Sequence, residues 1–204
     1  MTYKVIDNII PLSYQEQLRM LFDDGRMTWQ YREVTAGVKE DVDPADKNIK
    51  ESPMFVHEIY GYDSGIQSQV FEQIKPILFF AEEKLDMTVK GLGRIKANLQ
   101  VKDPTSKGFY HPPHVDTGHH DEGYILLYYL KDSDGPTIIF DKRSTDYGGH
   151  IGLKEIGRVE PKQGRAVLLN SNRYHASSSP FEHENRLVLN MVFFSENFNL
   201  TKTA

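Results

Sequence analysis

Beyond about residue 90 the chain breaks into short β-prone runs separated by turn residues, which limits the open folds more than any other feature. The runs are Arg94–Val101, Tyr124–Leu130, Thr137–Phe140, Val159–Pro161, Arg165–Leu169, Tyr174–Ser177 and Arg186–Phe194. Between them lie Lys102–Gly108, Asp132–Pro136 and Lys162–Gly164, rich in the Asp, Ser, Gly and Pro that reverse a chain. Asp141 to Gly157 is polar and glycine-bearing, a long hairpin excursion. The pattern predicts an antiparallel, mainly β architecture.

Helical signals are confined to the first ninety residues. Tyr3 to Ile10 reads as a short strand stopped by Pro11, and Ser13-Tyr14-Gln15-Glu16 has the form of a capping box. Leu18, Leu21 and Phe22 then recur at helical spacing up to Gly25, which can end the helix. Thr28 to Thr35 is β-prone. A stronger amphipathic pattern runs through Ile66, Val70, Ile74, Ile77, Leu78, Ala81 and Leu85, with Ser64 as a candidate cap and Pro76 predicted to kink or split it. Gly91-Leu92-Gly93 reads as a turn. The polar stretch from Ala36 to Pro53 is either a solvated surface loop or a mobile lid.

The expected fold class is therefore α+β, mainly β: a double-stranded β-helix (a cupin-like jelly roll) supported by amino-terminal helices. No repeat, low-complexity tract or linker divides it. One domain over residues 1–204 is expected, with its jelly-roll core at about 90–196.

Within that core, His114 and Asp116 stand one residue apart in His111-Pro112-Pro113-His114-Val115-Asp116. On a β-strand both side chains leave the same face. His175 follows in a later strand-like run. Two imidazoles and one carboxylate can cap one face of an octahedral ion, leaving the opposite positions open. That donor set favours iron or manganese over a thiolate-type zinc site and suits non-haem Fe(II). His111, His119, His120, His150 and His183 have no second carboxylate at strand spacing and read as surface or substrate-side groups. Arg186 heads the last strand on the face of Val188, Asn190 and Val192, where a charged head is costly to bury without a partner.

Composition closes off several classes. With 39% hydrophobic and 26% charged residues the chain is neither disordered nor membrane-like. A formal net charge of −5 gives no global attraction for phosphates, which speaks against nucleic acid as a partner. There is no cysteine, so disulfides, thiolate metal sites and cysteine nucleophiles are excluded. No apolar run approaches the roughly 20 residues that span a bilayer, and Met1 to Asp7 lacks the apolar core of a secretion signal. A cytoplasmic protein without a membrane partner is expected; oligomeric state is left open.

From about Arg94 to Phe194 the chain resembles the Fe(II)- and 2-oxoglutarate-dependent dioxygenases, in particular the prolyl-4-hydroxylase-like branch. The matching pieces are His114-Val115-Asp116, Tyr128-Tyr129-Leu130, Asp134-Gly135-Pro136-Thr137, Glu160-Pro161-Lys162, Gly164 to Leu169, His175 and Arg186. The resemblance implies His114, Asp116 and His175 as metal ligands and Arg186 as the cation for the distal carboxylate of 2-oxoglutarate. It implies Tyr129 as a phenol on that carboxylate and a polar side chain, Asn98 or Gln100, near the metal end of the co-substrate. Many of the branch have tyrosine there instead. Thr137 reads as a strand-face threonine that could also face the pocket. The implied cofactors are Fe(II), 2-oxoglutarate and dioxygen, with ascorbate as a further candidate. The implied reaction couples decarboxylation of 2-oxoglutarate to succinate and CO2 with hydroxylation of an unactivated C–H bond.

A prolyl residue in a peptide or protein is the expected target. The alternatives are oxidation of a free small molecule or nucleobase, and a cupin-like metal-holding module without redox chemistry. Such a module has no need of Arg186.

Overall fold

The computed structural model describes residues 2–36, 43, 45–117, 123–146, 150–195, 198 and 200. His119 and His120, parts of the Ala36–Pro53 stretch and part of the Asp141–Gly157 excursion lie outside the described residues. Every pairing between strands is antiparallel.

The strands are β1 (Tyr3–Ile6), β2 (Gln30–Arg32), β3 (Met54–Gly61), β4 (Gly65–Ile66), β5 (Val89–Val101), β6 (Gly123–Tyr129), β7 (Thr137–Arg143), β8 (Glu155–Val159), β9 (Ala166–Asn170), β10 (Arg173–Ser177) and β11 (Asn185–Ser195). The major sheet runs β1-β9-β6-β11-β5-β3-β2, with β4 on β3, and the minor sheet runs β10-β7-β8. Two sheets face to face form the expected jelly roll.

Strand alternation sorts the core into two layers. Tyr124, Leu126 and Tyr128 of β6, with Leu187, Leu189, Met191 and Phe193 of β11, pack against helices. Their neighbours Ile125, Leu127, Tyr129, Val188 and Val192 face the minor sheet and meet Ile139 and Val159. Both faces of the central strands are thus covered, which is why β6 and β9 read as unbroken apolar runs. The helices are α1 (Leu12–Asp23), α2 (Phe71–Ile74) and α3 (Pro76–Leu85). Pro76 splits the second helical pattern as expected, because it has no N–H and is tolerated as the first residue of a new helix. Among the described residues no helix is long and apolar enough to cross a membrane.

Several expectations are corrected. Helix α1 starts at Leu12, and Pro11 is its N-cap, with no side-chain cap. Ser13 lies inside the helix, and Glu16 instead pairs with Arg19 at 2.9 Å and accepts from Gln163 at 2.7 Å. The Thr28–Thr35 strand shrinks to three exposed residues, β2. Ile66 belongs to β4, and the helix begins only at Phe71. Gly91 and Gly93 are not a turn but lie inside the thirteen-residue β5. A Cβ on Gly93 would come within 3.1 Å of Val192 Cγ1, so the missing side chain lets the strands approach. Strand β3 escapes the sequence reading because its buried and exposed positions slip phase at a bulge between Glu58 and Tyr60.

Candidate active site

The two elements that build the site are β10 and the extended segment 111–117. Their backbones exchange a reciprocal pair of hydrogen bonds, His114 N to His175 O at 2.9 Å and His175 N to His114 O at 3.0 Å. His111 N donates to Ser177 O at 2.8 Å, and Asp116 N to Ser171 O at 3.0 Å. The segment is not the strand expected: only the His114–His175 bridge forms. Pro112 and Pro113 have no N–H to give to a ladder. The extended backbone still turns His114 and Asp116 to the same side.

There the three predicted ligands converge. The rings of His114 and His175 lie 4.5 Å apart between centroids, and His175 Nε2 is 3.6 Å from Asp116 Oδ2. His114 Nδ1 faces the Pro112 carbonyl at 3.2 Å, and His175 Nδ1 faces the Arg173 carbonyl at 3.0 Å. A carbonyl only accepts, so each Nδ1 carries a proton, and the Nε2 atom of each ring is the one left for an ion. Among the described residues, no three donor groups are drawn tightly enough to enclose an ion as they stand.

Asp116 is almost wholly buried, and both its oxygens are engaged. Arg94 Nη2 donates to Oδ1 at 2.5 Å and Asn190 Nδ2 donates to Oδ2 at 2.9 Å. Burial alone would raise its pKa, but Arg94, then His175, His114 and Lys96, hold the carboxyl well below the usual range. It is therefore a permanent anion, as a metal ligand must be. Burial, seconded by His175, lowers the His114 imidazole to about 4, so it is neutral near pH 7.

Arg186 is buried, at 3% exposure. Nε donates to Gly135 O at 2.8 Å, Nη1 to Gln100 Oε1 at 2.9 Å and Nη2 to Thr137 Oγ1 at 2.7 Å. The ring of Tyr129 lies beneath it, 5.7 Å from the guanidinium carbon, and the Tyr129 hydroxyl bonds Thr137 Oγ1 at 2.7 Å. No carboxylate pairs with Arg186 among the described residues. Three of five N–H donors go to these acceptors and a further contact joins the guanidinium to the Tyr129 hydroxyl, so at least one donor remains. The Tyr129–Thr137 pair likewise holds two hydroxyl protons, one bridging the oxygens and one without an acceptor among the described residues. A buried cation with this donor surplus fits an absent carboxylate.

Thr137 thus faces the pocket, contrary to its reading as an ordinary strand-face residue. Gln100, rather than Asn98, joins the Arg186 network. Asn98 lies on the same strand face, opposite Val188, with its Oδ1 buried and unpaired among the described residues. His111 is not a surface group: it is 1% exposed and packed beneath Gln100, whose Nε2 donates to Nδ1 at 2.9 Å, while Nε2 of His111 meets Ser179 at 3.0 Å. His150 is half-buried and His183 exposed, and both lie outside this site.

Sequence reasoning missed Arg94, Lys96 and Asn190. The signal was present: Arg94, Lys96, Asn98 and Gln100 alternate with Ile95, Ala97 and Leu99, so one face of β5 is a continuous polar row. In register it lies beside Val192, Asn190, Val188 and Arg186 of β11. The row runs from the Asp116 end of the site to the Arg186 end.

No protein-family model matches the sequence, and no curated protein matches it. Solved structures share the fold. A 2OG-Fe(II) oxygenase family oxidoreductase from Burkholderia pseudomallei superposes with a TM-score of 0.64 at 15% identity, over 97% of this chain and 86% of its own. HygX from Streptomyces hygroscopicus, solved with nickel and 2-oxoglutarate bound, gives 0.59 at 14% identity over 97% and 84%. A Trichoplax adhaerens prolyl hydroxylase, solved in complex with a hypoxia inducible factor oxygen degradation domain peptide fragment, gives 0.55 at 13% identity over 100% and 88%. At such identities the likeness is one of fold.

Proposed function

We propose that this chain is a single-domain Fe(II)- and 2-oxoglutarate-dependent oxygenase. The observation that carries the reading is the convergence of His114, Asp116 and His175 on one side of a sheet whose other end buries an uncompensated guanidinium. His114 Nε2, His175 Nε2 and an Asp116 oxygen would hold the ion. A spare N–H of Arg186 and the free hydroxyl proton of the Tyr129–Thr137 pair would hold the distal carboxylate of 2-oxoglutarate. Asn190 is four residue steps along β11 from Arg186, about 13 Å of strand at its usual rise. An extended arginine head and a five-carbon diacid can bridge that interval.

When bound, iron and 2-oxoglutarate supply the oxidising chemistry: R–H, O2 and 2-oxoglutarate give R–OH, succinate and CO2. The protein's own part is to fix the ligands and neutralise the co-substrate. The non-redox cupin-like alternative has no use for a buried arginine lacking an acid partner, since an unpaired buried charge costs several kcal/mol.

For the substrate, likeness in fold to the Trichoplax prolyl hydroxylase supports a prolyl residue in a peptide. HygX has been solved with hygromycin B bound, and likeness to it supports a free small molecule equally. We place the activity in the cytoplasm on composition alone. The test is anaerobic addition of Fe(II) and 2-oxoglutarate to the purified chain, followed by air and ascorbate. A weak visible charge-transfer band and subsequent succinate release are expected, and the absence of both would refute the reading.

A further inference from the structure

Next to Asp116, on the side away from Arg186, a cleft of about 670 Å3 opens between β5, β11 and the metal segment. Its lining among the described residues is mostly apolar: Gly91 and Gly93 in β5, with Tyr62, Val192 and Phe194 around them. The two glycines keep it open, since a Cβ at Gly91 would already touch the Phe194 ring at 3.8 Å. Lys90, Asp116 and Thr117 also line the cleft, and the guanidinium there is that of Arg94. One of its donors is used on Asp116 Oδ1, and its Nε is buried without a partner among the described residues. Lys96 follows on the same strand face, in the field of Arg94, Arg32, Glu58 and Asp116.

The charge balance here is lopsided. A bound divalent ion is neutralised by Asp116 together with the metal-end carboxylate of 2-oxoglutarate. With those two carboxylates committed to the ion, Arg94 would keep its charge and a buried Nε without a partner among the described residues. The co-substrate's two carboxylates are already assigned, one to the ion and one to Arg186, so neither remains as a counter-charge for Arg94.

We infer, resting on the oxygenase reading above, that the oxidised substrate is a small carboxylic acid: its carboxylate on Arg94, its apolar body on the glycine floor against Val192, Phe194 and Tyr62. A cleft of this size takes a small molecule, and its guanidinium selects an acid over its neutral counterpart.

The test uses the full chain saturated with Mn(II) and 2-oxoglutarate, which cannot turn over and already fills Arg186. Calorimetry compares 3-phenylpropanoate with 3-phenylpropanamide and hexanoate with hexanamide. Each acid is expected to bind roughly ten-fold or more tightly than its amide, the worth of a charge-assisted hydrogen bond. Arg94→Gln should abolish that preference and Arg94→Lys should restore part of it. Equal binding of acid and amide, binding of neither, tighter binding of a neutral prolyl peptide, or an unchanged preference in Arg94→Gln would each overturn the assignment. Because acid and amide are compared on the unaltered chain, the result does not depend on how well a variant folds. Normal 2-oxoglutarate binding beside a failed acid preference defeats this inference alone. Failure to bind 2-oxoglutarate defeats the oxygenase reading and this inference with it.

Discussion

Asn190 donates from Nδ2 to Oδ2 of Asp116 at 2.9 Å, across seventy-four positions of sequence. With Arg94 on the other oxygen, it sets the rotamer of a buried carboxylate that is the acidic member of the proposed ligand set. Asn190→Ala is expected to weaken metal binding about 10–100-fold, the usual effect of removing a group that orients a ligand. Titration with Mn(II) followed by its paramagnetic resonance measures this directly; an affinity within experimental error of the original would refute it.

Removing a ligand should do more. In His114→Ala and His175→Ala, succinate formation is expected to fall to background. Chelation of the unaltered protein should do the same reversibly, with activity restored by Fe(II) and not by Zn(II), which lacks the redox chemistry. Turnover surviving in either alanine variant would remove that histidine from the ligand set.

Arg186→Gln takes away the buried charge and keeps a polar head. Truncating one partner of a buried charge pair costs about 2–5 kcal/mol, so 2-oxoglutarate should bind roughly thirty-fold or more weakly. A thermal-shift measurement makes the point independently of turnover. 2-Oxoglutarate should raise the melting temperature of the original protein by mass action and leave that of the variant almost unmoved.

Burial, followed by the charge of Arg186, lowers the His111 imidazole to about 3 from an ordinary 6.5. The folded state therefore keeps His111 neutral where the unfolded chain binds a proton. Stability is fully present above about pH 6.5 and is lost as pH falls towards 3, by about 1.4 kcal/mol per pH unit for one proton. Urea unfolding of the original and of His111→Gln between pH 4.5 and 7.5 should show a slope about one proton shallower in the variant. Parallel slopes would contradict the assignment.

Gly135 supplies the carbonyl that accepts from Arg186 Nε. A Cβ there would lie 2.4 Å from Ser178 O and 2.9 Å from Pro180 N, both backbone atoms that cannot swing aside. Gly135→Ala should cost about 1–3 kcal/mol of stability as overpacking. It should also weaken 2-oxoglutarate binding by shifting that carbonyl. Equilibrium unfolding and calorimetry read the two effects separately.

Much of the site was legible in the chain because its signals are local or periodic. His114 and Asp116 sit at strand spacing, and Arg186 heads an alternating run; the structure brings all three to the faces that alternation predicts. Tyr129 was implied only by the family resemblance, and the structure seats its ring beneath the Arg186 head. What stayed hidden depends on contacts between distant segments. His111 looked like one of a surface cluster, yet it lies beneath Gln100 because segment 111–117 pairs with β10. Thr137 looked like any strand threonine until the fold brought the Arg186 head to it.

By itself the sequence determined the alternation of its strands, the helix break at Pro76 and the residue types able to hold an ion, since all three follow from backbone chemistry within a few positions. Only the tertiary structure decided that Gly91 and Gly93 belong to a strand and that Arg94 and Asn190 clasp Asp116. It also decided that Arg186 is buried without an acid, for partnership and burial are set by which strands become neighbours. That choice is made by the whole core at once, through the burial of apolar faces that no short stretch carries alone.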